Sequence, residues 1–321
     1  IVDVLENQSF VVVETQEDKI KVASDIVVDE LIKQQSIYSV TNVLKTYKAL
    51  LSAYGVTEVY ALANCEYLSA KNQRSFFDEV YSATNFRFKI LTAEEEAHNL
   101  YLAFINSLDC PKGLILDANG SNVQILAYNR RNTINQTEIK MGSVTLAEKF
   151  VGKCASPEKA MEKMTAEFAK QLEDIQWFDG LDEETQIVGT GDVFLSLAKL
   201  SKKLKKYPYA KDHAYQLSAE DFTKVYDFIK TLDIDKTKKL KGISSQRADI
   251  LASGLAILNA VLQKSGVKKI VVSQNGISAG YLFGKINPQT LEKPLTDVLG
   301  SSLETLNMYY NHVGLANTKN V

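Results

Sequence analysis

The chain has 321 residues, too many for one ordinary hydrophobic core and about right for two domains. With 45% hydrophobic and 24% charged residues it has the composition of a globular protein. Its 37 basic and 39 acidic side chains leave a net charge of −2, which gives no global attraction to nucleic acid or to an anionic membrane.

Ile1–Asp3 and Ser9–Glu14 read as strands joined by a turn around Glu6–Gln8. Thr41–Tyr54 reads as a helix, Val56–Leu62 as a strand, Ser69–Ser82 as a helix, Phe86–Leu91 as a strand and Ala93–Ser107 as a helix. This alternation predicts an α/β half, closed at Cys110–Lys112, where Pro111 breaks the run. Gly113–Ala118 and Val123–Tyr128 then repeat the opening strand–turn–strand pattern. Leu146–Leu172 is helical with a break at Cys154–Pro157, and Thr185–Val188 is a strand running into a Gly-Thr-Gly-Asp loop and a helix from Val193. Ala219–Leu232 and Gln246–Gln263 read as helices, Val267–Ser273 as a strand, and Gly280 opens or flanks another helix. Ser302–Asn311 reads as a closing helix whose Leu303, Leu306 and Met308 suit either the first domain or a homodimer contact.

Cys65, Cys110 and Cys154 form no CxxC, and this sparse, odd number predicts reduced thiols in a cytoplasmic protein. His98, His213 and His312 lack metal-ligand spacing. No signal peptide and no membrane-spanning run is read. The lysines at 202, 203, 205 and 206, and those at 236, 238, 239 and 241, read as solvated faces, with a local basic groove as the alternative.

Leu114–Asn122, LILDANGSN, carries the chemistry. A β-run ends in Asp117, which suits either a Mg²⁺-binding carboxylate or an Asx-type turn. Asn119, Gly120, Ser121 and Asn122 supply a tight polar turn able to hold phosphate oxygens, and Gly189 and Gly191 form a second such loop; the competing reading is plain tight turns. No second carboxylate is expected near Asp117. Glu94–Glu96 open a helix, where acids complement the dipole.

Taken in order and spacing, ILTAEEEAHNL, LILDANGSN, MGSVTLAEKF, VGTGDVFLSLAKL, QRADILASGLAIL and VVSQNGISAG resemble the exopolyphosphatase / guanosine pentaphosphate phosphohydrolase (Ppx/GppA) family, from Ile1 to about Gly284. The resemblance implies two ribonuclease H-like domains of the acetate kinase/actin-like (ASKHA) fold around a central cleft. It places residues 1–111 with about 299–321 in the first domain and 112–298 in the second. It implies Mg²⁺-dependent removal of terminal phosphate from polyphosphate or pppGpp, with Glu96 as the catalytic base and Asp117 at the metal; the charge balance and the lack of a spanning run lead to no nucleic-acid or membrane partner being expected. Departures stand against full activity. Gln124 replaces a glutamate, Leu68 a phosphate-binding arginine, Asp192 a loop glycine, Val193 a threonine and Ser278 a late arginine. Lys71, Arg74 and Lys112 are candidate replacement cations, and Arg247 with Asp249 a structural pair or a lining of the cleft. Lost cations and a lost carboxylate weaken stabilisation of a transferring phosphoryl group, so weak hydrolysis is expected. The alternative is an inactive member that binds nucleotide, polyphosphate or a protein partner.

Overall fold

A computed structural model describes residues 1–129, 132–241, 243, 248–292 and 294–311. The chain is α/β and divides into two compact units. The first comprises Ile1–Val22, Leu31–Asp109 and the segment from Ile277; the second comprises Ala23–Glu30 and Cys110–Gly276.

The first unit opens with the antiparallel hairpin of β1 (Val2–Val4) and β2 (Phe10–Val12), in register Val2 with Val12. Its turn closes on itself: Asn7 Oδ1 accepts from the Ser9 amide at 3.2 Å and the Ser9 hydroxyl at 2.6 Å. Helix α1 (Val22–Asp29) comes next in the chain but, from Ala23 on, counts with the second unit; the first unit resumes with α2 (Gln34–Ala53), β3 (Ala61–Ala63), a 3₁₀ turn Cys65–Ser69, α3 (Gln73–Thr84) and β4 (Phe88–Ile90), which pairs parallel to β3. Helix α4 (Ala93–Ile105) starts in a capping box. Thr92 Oγ1 accepts from the Glu95 amide at 3.2 Å, and Glu95 Oε2 accepts from the Thr92 amide at 3.0 Å. From Glu96 to Ile105 every residue of α4 but His98 is buried, so it forms the unit's central helix.

The second unit is built on a six-stranded sheet. Strands β5 (Lys112–Ala118), β6 (Val123–Asn129) and β7 (Asn132–Ile139) form an antiparallel meander. Next come α5 (Ser143–Phe150), α6 (Pro157–Leu172), a 3₁₀ turn Gln176–Gly180, β8 (Gln186–Gly189), α7 (Gly191–Lys205) and β9 (Tyr215–Ser218). The unit finishes with α8 (Ala219–Lys230), α9 (Ile234–Lys238), α10 (Ala248–Ser265) and β10 (Lys269–Val272). The strand order is β7-β6-β5-β8-β10-β9, with β5, β8 and β10 parallel. Leu114, Leu116, Val123, Ile125 and Ala127 share one core with Met164 and Phe168 of α6 and Leu255 and Leu258 of α10. On the other face the Tyr128 ring covers Gly113, leaving 2.5 Å to where a Cβ would stand, and its hydroxyl donates to the Cys110 carbonyl at 3.1 Å.

Three further helices return to the first unit: α11 (Ile277–Ile286), α12 (Gln289–Glu292) and α13 (Val298–Asn311). Gly280 of α11 crosses α4 so closely that a Cβ would stand 1.7 Å from the Asn99 carbonyl oxygen. Helix α13 packs against β2, while Leu299, Leu303, Leu306 and Tyr310, spaced along one of its faces, are exposed.

The sequence expectation omits α1, α9, α12, β7 and β9, starts α2 seven residues late and α13 four residues late, and begins β3 five residues early. The break at Cys154–Pro157 is present as the gap between α5 and α6, where Ser156 caps α6 ahead of Pro157.

Candidate active site

In the second unit the site grows from parallel strands that stop together. Leu116 of β5 pairs with Gly189 of β8, so Asp117 and Thr190 follow side by side at one sheet edge. The loop after β10 joins them: the Ser273 amide donates to the Gly189 carbonyl at 2.9 Å. Such an edge, where loops gather beyond the carboxyl ends of parallel strands, is where α/β sheets bind ligands.

The β5–β6 turn is held by two devices. Asn119 donates its amide to the Asn122 carbonyl at 3.0 Å and its side-chain nitrogen to Asp117 Oδ2 at 3.1 Å. Behind it, the start of α5 binds the turn's carbonyls. Ser143 donates its amide to the Asn119 oxygen at 2.8 Å, and Val144 and Thr145 donate to the Gly120 oxygen at 2.9 and 3.2 Å. The Ser143 hydroxyl adds a bond to the Asn119 carbonyl at 3.0 Å. Gly142 allows this approach, since a Cβ there would lie 2.3 Å from the Gly120 oxygen. In a trans peptide the N–H opposes the C=O, so the Gly120 and Ser121 amides face away from α5. That is the orientation an anion-binding turn needs.

The second loop divides. At Gly189 the Phe194 ring takes the place of a Cβ, with 2.1 Å between them, so packing alone requires glycine there. Gly191 has φ +80° with open space around it, so its backbone conformation is the requirement. Helix α7 begins at Gly191 with no side-chain cap on its first turn, a positive dipole end beside the Asp117 turn. Asp192 and its carboxylate stand in that same first turn, compensating the dipole and opposing an anion. Val193, where the loop threonine was expected, packs against Gly254 of α10.

One expectation is corrected. Register runs Asp117–Gln124–Glu138 across β5, β6 and β7, which puts the three side chains on one face of the sheet. A second acidic residue, Glu138, therefore shares the face of Asp117, two strands away. Gln124 is buried between them, and neither its amide oxygen nor its nitrogen has a hydrogen-bond partner. Glu138 is exposed and accepts a hydrogen bond from Asn122 Nδ2 at 2.7 Å. Sequence reasoning missed Glu138 because it lies in a polar stretch and reaches the site only through strand register.

Glu96 belongs to the first unit and is fully buried. Its Oε1 accepts from the Cys65 amide at 2.6 Å and its Oε2 from the Cys65 thiol at 3.2 Å, so the residue after β3 fixes the carboxylate's orientation. Its neighbours act otherwise. Glu95 holds the helix cap and pairs with Lys89 at 2.6 Å; these bonds from Lys89 and Thr92 lower its carboxyl below the usual range. Glu94 is lowered too, chiefly by the backbone amide at its own position.

The other candidates scatter. Leu68 is 52% exposed in the 3₁₀ turn after Cys65. Ser278, also exposed, lines a cavity of about 460 Å³ with Tyr60, Tyr281 and Leu282 in the first unit. Lys112 pairs with Asp182 and stands at the opposite end of β5 from Asp117, roughly 16 Å away at strand rise, which removes it as a replacement cation for the turn. Lys71 and Arg74 are exposed in the first unit. Arg247 and His312 lie outside the described residues. Lys202 is buried, bonded to Asp212 at 2.7 Å under the Tyr215 ring, so it is structural and not part of a solvated face. Among the described residues no group of three or more His, Cys, Asp or Glu could hold a metal, and no helix is long and apolar enough to cross a membrane.

The chain is similar to a bifunctional 3-dehydroquinate synthase/phosphatase of Fusobacterium nucleatum, 21% identical over 80% of this chain and 39% of that protein. It is similar as well to a guanosine-5'-triphosphate,3'-diphosphate pyrophosphatase of Pseudoalteromonas atlantica, 21% identical over 84% of this chain and 52% of the relative. It thus spans about half, or less, of the length of these curated relatives. Its fold resembles the crystal structure of the Aquifex aeolicus Ppx/GppA family member, with TM-score 0.72, 21% identity and 89% and 92% of the two chains covered. It also resembles an exopolyphosphatase from Cytophaga hutchinsonii, with TM-score 0.81, 18% identity and 89% and 93% covered. The Ppx/GppA phosphatase family matches residues 1–288, and the chain belongs to that family.

Proposed function

We propose that the protein is a weak, Mg²⁺-dependent phosphohydrolase that removes terminal phosphate from polyphosphate or pppGpp in the cytoplasm. In this reading its two units are ribonuclease H-like domains of the acetate kinase/actin-like fold. The observation that carries it is the sheet edge where Asp117, the outward-facing amides of Gly120 and Ser121 and the uncapped start of α7 stand together.

The residues present suit a hard divalent cation, because Asp117 and the unpartnered Gln124 amide oxygen offer oxygen donors. Bound there, the metal would neutralise charge on phosphate oxygens. The chain does the rest. Asn119, Ser121 and Asn122, with the amides of their turn, orient the phosphate, and Gly191 lets the α7 terminus approach it. Glu96 takes the proton of the attacking water, with Cys65 fixing its carboxylate. Gln124 is neutral and Asp192 adds negative charge at the anion's place, which lowers the rate.

The same two residues favour a second reading, a member that binds polyphosphate, a nucleotide or a protein partner without turnover. Orthophosphate release from long-chain polyphosphate and from pppGpp, with Mg²⁺ and with EDTA, separates the readings. Hydrolysis predicts metal-dependent release that Glu96→Gln reduces by at least about 100-fold. Release no higher than that of the variant rejects it.

A further inference from the structure

The Gln124 amide is buried with neither its oxygen nor its nitrogen hydrogen-bonded. An amide group with both its donor and its acceptor unsatisfied is costly in a folded protein and calls for a partner the protein itself does not supply. Its neighbours in strand register are Asp117 on one side and Glu138 on the other, on the same face. Strand spacing sets the backbones of those two acids about 10 Å apart. Two carboxylates reaching inward over that span can share one divalent cation between them, with Gln124 Oε1 beneath it. Asn122 holds Glu138 toward this row from the adjoining turn.

We propose that Glu138 supplies the second carboxylate of a divalent-cation site made with Asp117 and the Gln124 amide oxygen. Charge absent from β6 is thus restored from β7, one strand further out. The cation class is hard and oxygen-seeking, Mg²⁺ or Mn²⁺, because the set holds no nitrogen or sulfur donor. The inference rests on the metal-dependent reading of the same sheet edge and extends it to a residue on a different strand.

Mn²⁺ alone, titrated into the full chain and followed by electron paramagnetic resonance, tests it without turnover. Glu138→Gln and Asp117→Asn should each weaken Mn²⁺ binding by about tenfold or more. Gln124→Glu should tighten it, and Glu220→Gln, on an exposed acid of α8, should leave it unchanged. Glu138→Ser serves as a second variant should Glu138→Gln fail to fold, and thermal melts check the fold of each. Unchanged affinity in a folded Glu138 variant while Asp117→Asn loses binding overturns this proposal and leaves a cation at Asp117 standing. No saturable Mn²⁺ binding by the wild type overturns both.

Discussion

At the scale of single residues, Gln124 and Glu96 show two fates of a buried polar group. Glu96 is fully buried, yet both its oxygens are bonded by Cys65. Gln124 is as deeply buried with neither amide atom satisfied. Leaving a buried donor and acceptor unpaired costs about 1–3 kcal/mol each, so Gln124→Leu should raise stability in the metal-free protein by about that much. Denaturant unfolding in EDTA checks it, and a less stable variant would show that the amide is satisfied in solution. Part of this site was legible in the letters. Asp117 ends an apolar run and is followed by turn-forming residues, a pattern with a local cause. Glu138 was not legible, because fourteen residues separate it from Gln124 and only pairing across β6 and β7 brings them level. Gly189 was legible as a glycine but not in purpose, since its neighbour in space is the Phe194 ring.

At the scale of elements, what could be read from sequence is what burial writes into it. The buried strands β5 and β6 carry continuous apolar runs, and α6 carries an apolar stripe behind a Ser-Pro start. Strand β7, NTINQTEI, is a sheet-edge strand with mostly exposed positions, so no apolar alternation marks it. Strand β9 has only two buried positions, Tyr215 and Leu217, too few to show a period. The crossing of α4 and α11 depends on one missing methyl group. Gly280→Ala should cost about 1–3 kcal/mol or more, because the new Cβ meets backbone oxygen rather than a side chain that can turn aside. Asn99, the residue it strikes, lies one turn beyond Glu96 on α4, so the variant should also lower any activity that Glu96 supports. Thermal melts together with phosphate release test both effects, and an unshifted melt would refute the close crossing.

Over the whole molecule, alkaline stability follows from two tyrosines. Burial, then a hydrogen bond from Tyr47 to Asp18, pushes the Tyr47 phenol up to about 12, and burial with the nearby Glu66 carboxylate does the same for Tyr67. A phenol whose folded value exceeds its unfolded value of 10.0 favours the folded state fully below that pH. That contribution is lost as pH rises through about 12. Stability should therefore fall between those limits, an ultraviolet titration should show the Tyr47 and Tyr67 phenols ionising above 10.0, and Tyr67→Phe should remove part of the decline. Ionisation of every tyrosine near the ordinary value would contradict this. The discontinuous path of the chain has a consequence for its synthesis. Helix α4 leaves the ribosome about 180 residues ahead of α11, the helix that covers it at Gly280. At about 5–20 residues per second the apolar surface of α4 waits roughly 10–40 s for its partner. Most of the second unit is made within that interval, so the later-starting half of the protein can finish folding first, while the face of α4 that α11 covers is still bare.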